Sequence, residues 1–123
     1  SYLNNEKIVV YGDGKQTRTF CYASDGIAMC LVAMILGKDG QIYNVGNPSP
    51  ELSMVELAKV FCQTLNYEKN YELKDYPTRY PSDEPARRCP NIDKILKLGA
   101  QYPQVELSVG LNKMLDYFQG EES

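Results

Sequence analysis

The stretch Val10-Tyr11-Gly12-Asp13-Gly14-Lys15-Gln16-Thr17-Arg18-Thr19-Phe20-Cys21-Tyr22 decides how this chain is read. Lys7 to Tyr11 is a β-branched, apolar run that predicts a short strand. Gly12-Asp13-Gly14 is a turn signal, because glycine accepts left-handed backbone that other residues resist. From Gln16 to Tyr22, Thr17, Thr19 and Cys21 alternate with Arg18, Phe20 and Tyr22, which predicts a second extended strand. A hairpin-like or bulged pair of strands therefore opens the fold.

Working outward, Ser24 or Asp25 can cap a helix whose apolar content from Ile27 to Leu36 is almost all-round, with Gly37 ending it in a left-handed turn. A helix apolar on most sides is expected to be buried on most sides. Gln41 to Val45 predicts a brief strand. Ser53 and Glu56 have capping-box spacing and open an amphipathic helix to about Leu65. From Asn66 to Pro90 the chain is polar and rich in Tyr and Pro, an irregular segment with one short strand near Tyr71 to Leu73. Short helices are expected over Ile92 to Leu98, stopped by Gly99, and from a Ser108 cap to Phe118, stopped by Gly120. Asp25, Ser53 and Asp93 read as helix caps, while Asp83-Glu84 and Glu121-Glu122 read as solvated charge.

Composition bounds the rest. At 123 residues the chain is one α/β unit, a small mixed fold of short strands and about four helices. It has no His, so imidazole catalysis and His-ligated zinc are excluded. A net charge of −3 with scattered basic residues argues against nucleic acid. Cys21, Cys30, Cys62 and Cys89 lack metal-site spacing. Cys30 and Cys62 read as small core residues and Cys21 as part of a strand, in keeping with a reducing, cytoplasmic location. The apolar run from Ile27 to Leu36 is too short for a membrane span. The abrupt start at Ser1, without Met, reads as a processed or truncated product.

Tyr11 and Lys15 stand at Tyr-x-x-x-Lys spacing, but that chemistry needs a helix to bring the two side chains to one face, and two glycines intervene. Gly12-x-Gly14 is neither a dinucleotide fingerprint nor a P-loop. Arg18 and Arg88 are the cations of interest, since a permanently charged, forked guanidinium matches a diphosphate. Each charge-assisted contact is worth about 1.5–3 kcal/mol. On spacing alone both also read as ordinary surface residues.

With those residues in view, the chain resembles the C-terminal part of an extended short-chain dehydrogenase/reductase, a Rossmann-type family of NAD-dependent nucleotide-sugar epimerases, dehydratases and decarboxylases. The opening stretch, continued to Asp25, is similar to the family block YGDG-x-Q-x-R-x-F-x-Y-V-x-D, with Ala23 in place of Val. Tyr43-Asn44-Val45-Gly46 is similar to its YN-[IV]-G strand end. Glu84-Pro85-Ala86-Arg87-Arg88-Cys89-Pro90-Asn91-Ile92 resembles D-P-x-x-R-x-P-D-I and leans toward UDP-glucuronate decarboxylases. Leu98 to Phe118 is similar to the family's closing segment, with Ala100 where Trp is common.

The resemblance implies that residues 1–123 are the nucleotide-sugar-binding portion of such an enzyme. Arg18 and Arg88 would hold the diphosphate, Gln16 with the backbone of Val10 and Tyr11 would line the nucleoside pocket, and Asn44 would add a polar contact. Arg87 matches a variable position and is given no role. The implied substrate is a nucleotide-diphosphate sugar, a UDP-sugar favoured, and the implied reaction is UDP-glucuronate decarboxylation through transient C4 oxidation. A dTDP-glucose dehydratase or a 4-epimerase is the alternative. NAD and the catalytic residues are expected on an N-terminal Rossmann domain that this chain lacks, so no catalytic or cofactor-binding residue is assigned and the chain alone is expected to be inactive. The intact enzyme is expected to be a homodimer, and the isolated portion to expose apolar faces. The rival reading is a stand-alone, non-catalytic α/β binding module.

Overall fold

The computed structural model of the chain describes residues 1–80 and 84–121. Its elements run β1 (Ile8–Tyr11), β2 (Thr17–Arg18), α1 (Ala23–Leu36), β3 (Leu52–Ser53), α2 (Met54–Thr64), β4 (Tyr71–Lys74), β5 (Arg87–Arg88), α3 (Asp93–Leu98) and α4 (Leu107–Glu121). The expected mixed α/β fold with four helices and short strands is what forms.

The strands do not pair as a hairpin. β1 runs parallel to β4, from Ile8 beside Tyr71 to Tyr11 beside Lys74. β2 lies between β3, antiparallel, and β5, parallel. The turn between β1 and β2 explains the divergence. Gly12 and Gly14 adopt φ of 69° and 66°, and a side chain on Gly14 would meet Val55 and Val10 at 2.5 and 2.9 Å. The turn is pressed into the packing, and its exit leads Thr17 away from β1 toward Leu52 and Ser53. The second strand is correspondingly shorter than the alternation from Gln16 to Tyr22 suggests.

α2 begins as its sequence dictates. The Ser53 hydroxyl accepts from the Glu56 N–H at 3.2 Å, and the Glu56 carboxylate accepts from the Ser53 N–H at 2.8 Å. α1 starts differently: Tyr22 occupies the cap position without a side-chain bond. Ser24 and Asp25 lie inside the first turn, and Asp25 instead accepts from the backbone N–H groups of Gln104 and Val105 at 3.1 and 2.9 Å. Gly37 ends α1 in extended, not left-handed, backbone. At α3 the cap bond comes from Asn91, whose side chain accepts from the Asp93 N–H at 2.9 Å, so Asp93 is the first helical residue and not the cap. Gly99, at φ 120°, stops α3 as expected. α4 begins one residue before Ser108 and carries Gly120 within it.

The main core cluster is small. Met29 of α1 and Ile92 and Ile95 around α3 are buried, with Val32, Ala33, Tyr43 and Leu96 against them. A second buried pair, Val10 and Ala58, lies between β1 and α2. Cys30 is exposed, contrary to its expected core position, because it falls on the outer side of α1. That outer side is apolar as well: Ile27, Leu31, Met34 and Ile35 are 60%, 47%, 74% and 72% exposed. Their spacing of i, i+4, i+7 and i+8 makes one stripe.

Gln41 to Val45 forms no strand, although its pattern predicts one. The segment is held by side chains: Lys94 donates to the Gln41 side chain and the Ile42 carbonyl, both at 2.9 Å, and lies over the Tyr43 ring. Among the described residues no strand lies beside it, and Ile42 is 81% exposed. A strand is defined by its ladder, so an apolar extended run without a neighbour stays irregular. No helix among the described residues is long and apolar enough to cross a membrane.

Candidate functional site

The candidate site grows from the β1 to β2 turn. A cavity of about 370 Å³ opens between β1 and α2, walled by Val9, Val10, Tyr11, Gln16, Met54, Ala58, Phe61 and Tyr80. The structure thus brings together Val10, Tyr11 and Gln16, three of the residues expected to meet a nucleoside. Gln16 donates from Nε2 to the Tyr11 carbonyl at 3.4 Å, while its own carbonyl accepts from the Met54 N–H at 3.1 Å. Tyr11, Tyr76 and Tyr80 cluster at one side, with ring centroids 4.5 to 6.3 Å apart.

Neither arginine lines that cavity; Arg18 is linked to its edge through Glu84, and Arg88 stands beside Arg18. Arg18 and Arg88 are register partners in the parallel β2–β5 pair, so their side chains share a face. Arg18 donates from Nη1 to the Thr17 carbonyl at 2.7 Å and from Nη2 to Glu84 at 2.6 Å. Its side chain is only 14% exposed. Glu84 also accepts from the Tyr80 hydroxyl, and this bond together with Arg18 holds its carboxyl below the ordinary glutamate range. The same bond pushes the Tyr80 phenol up. Glu84 therefore corrects the reading of solvated charge; Asp83 and Glu122, from the same reading, lie outside the described residues. Among the described residues no ion pair holds Arg88, which is exposed.

The opposite face of β2 and β5 is occupied differently. Arg87 grips Glu51 with its Nε to Oε1 at 2.7 Å and Nη2 to Oε2 at 2.8 Å, and the Thr17 hydroxyl donates to the same carboxylate at 2.7 Å. Arg87 foremost, then Thr17, hold the Glu51 carboxyl below its usual range. Sequence reasoning assigned Arg87 nothing; it is the residue that fixes which face Arg88 takes. Glu51, Tyr80 and Glu84 were also missed; the crowding of Tyr and charge between Tyr67 and Arg88 is a signal for Tyr80 and Glu84, and nothing local marks Glu51.

Asn44 does not join this group. Its Nδ2 donates to the Asn91 carbonyl at 3.2 Å, which ties the unpaired 41–45 segment to the start of α3. Cys21 and Cys62 are poor nucleophiles here, since burial pushes both thiols up. Among the described residues no group of three metal-ligating side chains converges. The Gly12–Gly14 turn offers no dinucleotide cradle, because the space a phosphate would need is filled by Tyr76, Val55 and Val10.

Residues 1–46 match the NAD dependent epimerase/dehydratase family. The chain is 38% identical over 117 residues to UDP-glucuronic acid decarboxylase 2 of Arabidopsis thaliana, covering 95% of this chain and 25% of that protein. It is 33% identical over 119 residues to human dTDP-D-glucose 4,6-dehydratase, covering 94% of this chain and 33% of that protein. The crystal structure of UDP-glucuronic acid 4-epimerase from Bacillus cereus, in complex with UDP-glucuronic acid and NAD, superposes with a TM-score of 0.78 at 28% identity, over 97% of this chain and 37% of that one. The chain thus spans a quarter to two fifths of the length of these relatives.

Proposed function

Because the chain belongs to the NAD dependent epimerase/dehydratase family, we propose that it is the nucleotide-sugar-binding portion of an enzyme that decarboxylates UDP-glucuronate. The observation that carries this reading is the cavity built from Val10, Tyr11 and Gln16 beside two arginines on one face of β2–β5. A flat base fits the apolar, tyrosine-edged cavity, with the Gln16 amide and the β1 backbone as polar partners. Arg18 and Arg88 then offset the diphosphate charge, a role that suits forked, permanently charged groups. Asn44 acts structurally, on the α3 start.

The chemistry belongs to the rest of the protein. NAD supplies redox chemistry at the sugar C4 in the intact enzyme, and the Gly12–Gly14 turn gives it no place here, so this chain's residues bind and orient. Two observations support a missing Rossmann-type partner domain. The chain exposes 8671 Å², whereas a compact monomer of 13.9 kDa exposes about 6,700 Å². The apolar stripe of α1 and the unpaired Gln41–Val45 segment lie where that excess could be covered, the latter as a strand added to a neighbouring sheet. The similarity to the human dehydratase and the Bacillus cereus epimerase keeps 4,6-dehydration and 4-epimerisation as the alternative reactions.

The test is kinetic, on the full-length protein. Arg18→Ala and Arg88→Ala should each raise KM for UDP-glucuronate about tenfold to a hundredfold, the equivalent of one lost charge-assisted contact, while bound NAD stays in place. Unchanged KM in both variants would remove the diphosphate assignment. Product analysis by mass and NMR decides between loss of CO₂, loss of water and inversion at C4.

A further inference from the structure

Arg18, as it stands, is only partly open to a ligand. A guanidinium has two bidentate edges, Nε with Nη2 and Nη1 with Nη2, and Nη2 is common to both. Arg87 shows what full use of an edge looks like: Nε and Nη2 both grip Glu51. In Arg18 the shared nitrogen, Nη2, is held by Glu84 at 2.6 Å, and Nη1 is turned to the Thr17 carbonyl. Glu84 takes one of the two N–H groups on Nη2, so it occupies one fork of Arg18, and its negative charge opposes an anion at the other.

We propose that Glu84 is a built-in competitor for Arg18, a carboxylate whose hold on Nη2 opposes a diphosphate at the same guanidinium, and that Tyr80 links this competition to the cavity. Tyr80 forms part of the cavity wall and donates its hydroxyl to Glu84. A base seated against Tyr80 therefore touches the residue that steadies the competitor. Arg88 shares the face of Arg18 and also lies within the field of Glu84, so a diphosphate arriving at Arg88 repels Glu84 as it approaches Arg18. Such a competitor weakens the hold on every ligand that uses Arg18 and leaves neutral ligands alone. This inference rests on the diphosphate role proposed for Arg18.

The experiment is calorimetric binding of UDP and of uridine to the full-length protein, wild type against Glu84→Gln, Tyr80→Phe and Arg18→Ala. Glu84→Gln keeps the side-chain shape and removes the charge, and Tyr80→Phe keeps the ring and removes the hydroxyl. The expected result is UDP binding about threefold to fivefold tighter in Glu84→Gln, the range set by a partly exposed ion pair, a smaller gain in Tyr80→Phe, and unchanged uridine binding in Glu84→Gln. Melting curves confirm that each variant is folded. UDP binding that weakens in Glu84→Gln would show that Glu84 orients Arg18, and binding that stays the same would show no competition; either overturns the inference while loss of UDP binding in Arg18→Ala leaves the diphosphate reading standing. If Arg18→Ala binds UDP like wild type, that reading fails and the competition fails with it.

Discussion

Two regions of this molecule solve their surface in opposite ways. Around β2, β3 and β5, charges are paired across long sequence separations: Arg18 with Glu84, and Arg87 with Glu51, whose carboxylate also accepts from Thr17. Along α1 and the segment from Gln41 to Val45, large apolar side chains face outward, with Ile42, Met34 and Ile35 more than 70% exposed. The first region is complete within the chain. The second is a surface with no counterpart among the described residues, and a patch of that kind marks an interaction site more often than a free surface. The difference teaches which functions can reside here: ligand contacts can be built where the polar groups are settled, whereas the α1 face is one that a partner surface would complete.

The comparison can be broken most forcefully at α1. Ile35→Glu in the full-length protein is expected to destabilise it by about 1.5–3 kcal/mol or more, the loss of one buried aliphatic side chain plus the burial of a charge. Thermal or denaturant unfolding measures it. A neutral effect would mean that the stripe faces solvent in the whole protein and that the contrast between the two regions is only apparent.

At the boundary of the two regions, Ser53→Ala removes the hydroxyl half of the α2 capping box and should cost about 1 kcal/mol. Denaturant unfolding with an unchanged m-value would confirm a local loss. A much larger loss would show that the junction of β3 and α2 carries the arginine face as well as the helix.

The smallest effect is a pH dependence. Arg87 and Thr17 hold the Glu51 carboxyl below its ordinary value in the folded chain. A carboxyl lowered by folding stabilises the fold above its unfolded value, and that contribution fades as pH falls through the folded value. Wild type should therefore lose melting temperature between neutral pH and the acid side of the glutamate range more steeply than Glu51→Gln. Parallel curves would show that the Arg87 grip adds nothing to stability and serves only to set register.

What could be read from the sequence follows the range of the interactions involved. The capping box of Ser53 and Glu56, the stop at Gly99, strand β1 and the amphipathic face of α2 depend on residues within a few positions of each other, and all formed as expected. Arg18 and Arg88 were legible as candidates, and β5 then placed them side by side. The failures are long-range. Asp25 reads as a cap until the backbone of Gln104 and Val105 claims it. Gln41 to Val45 reads as a strand because periodicity records what a segment suits and not whether a neighbour is present. Glu84 reads as solvent-facing until Arg18, far away in sequence, reaches it. Arg87 and Arg88 are indistinguishable as letters, and only the register of β5 against β2 gives one to Glu51 and the other to the face of Arg18.

The parallel pairings have a consequence for how the protein is made. β1 cannot find its partner until Tyr71 to Lys74 exist, and β2, which can pair with β3 earlier, waits for Arg87 and Arg88 on its other side. At about 5–20 residues per second, a ribosome takes on the order of 3–13 seconds to add the chain from the end of β1 to the end of β4. For that interval Ile8, Val9 and Val10 leave the exit tunnel as an adhesive strand with an open edge. Chaperone contacts on the nascent chain should therefore be strong at β1 and fall away there once β4 has been synthesised.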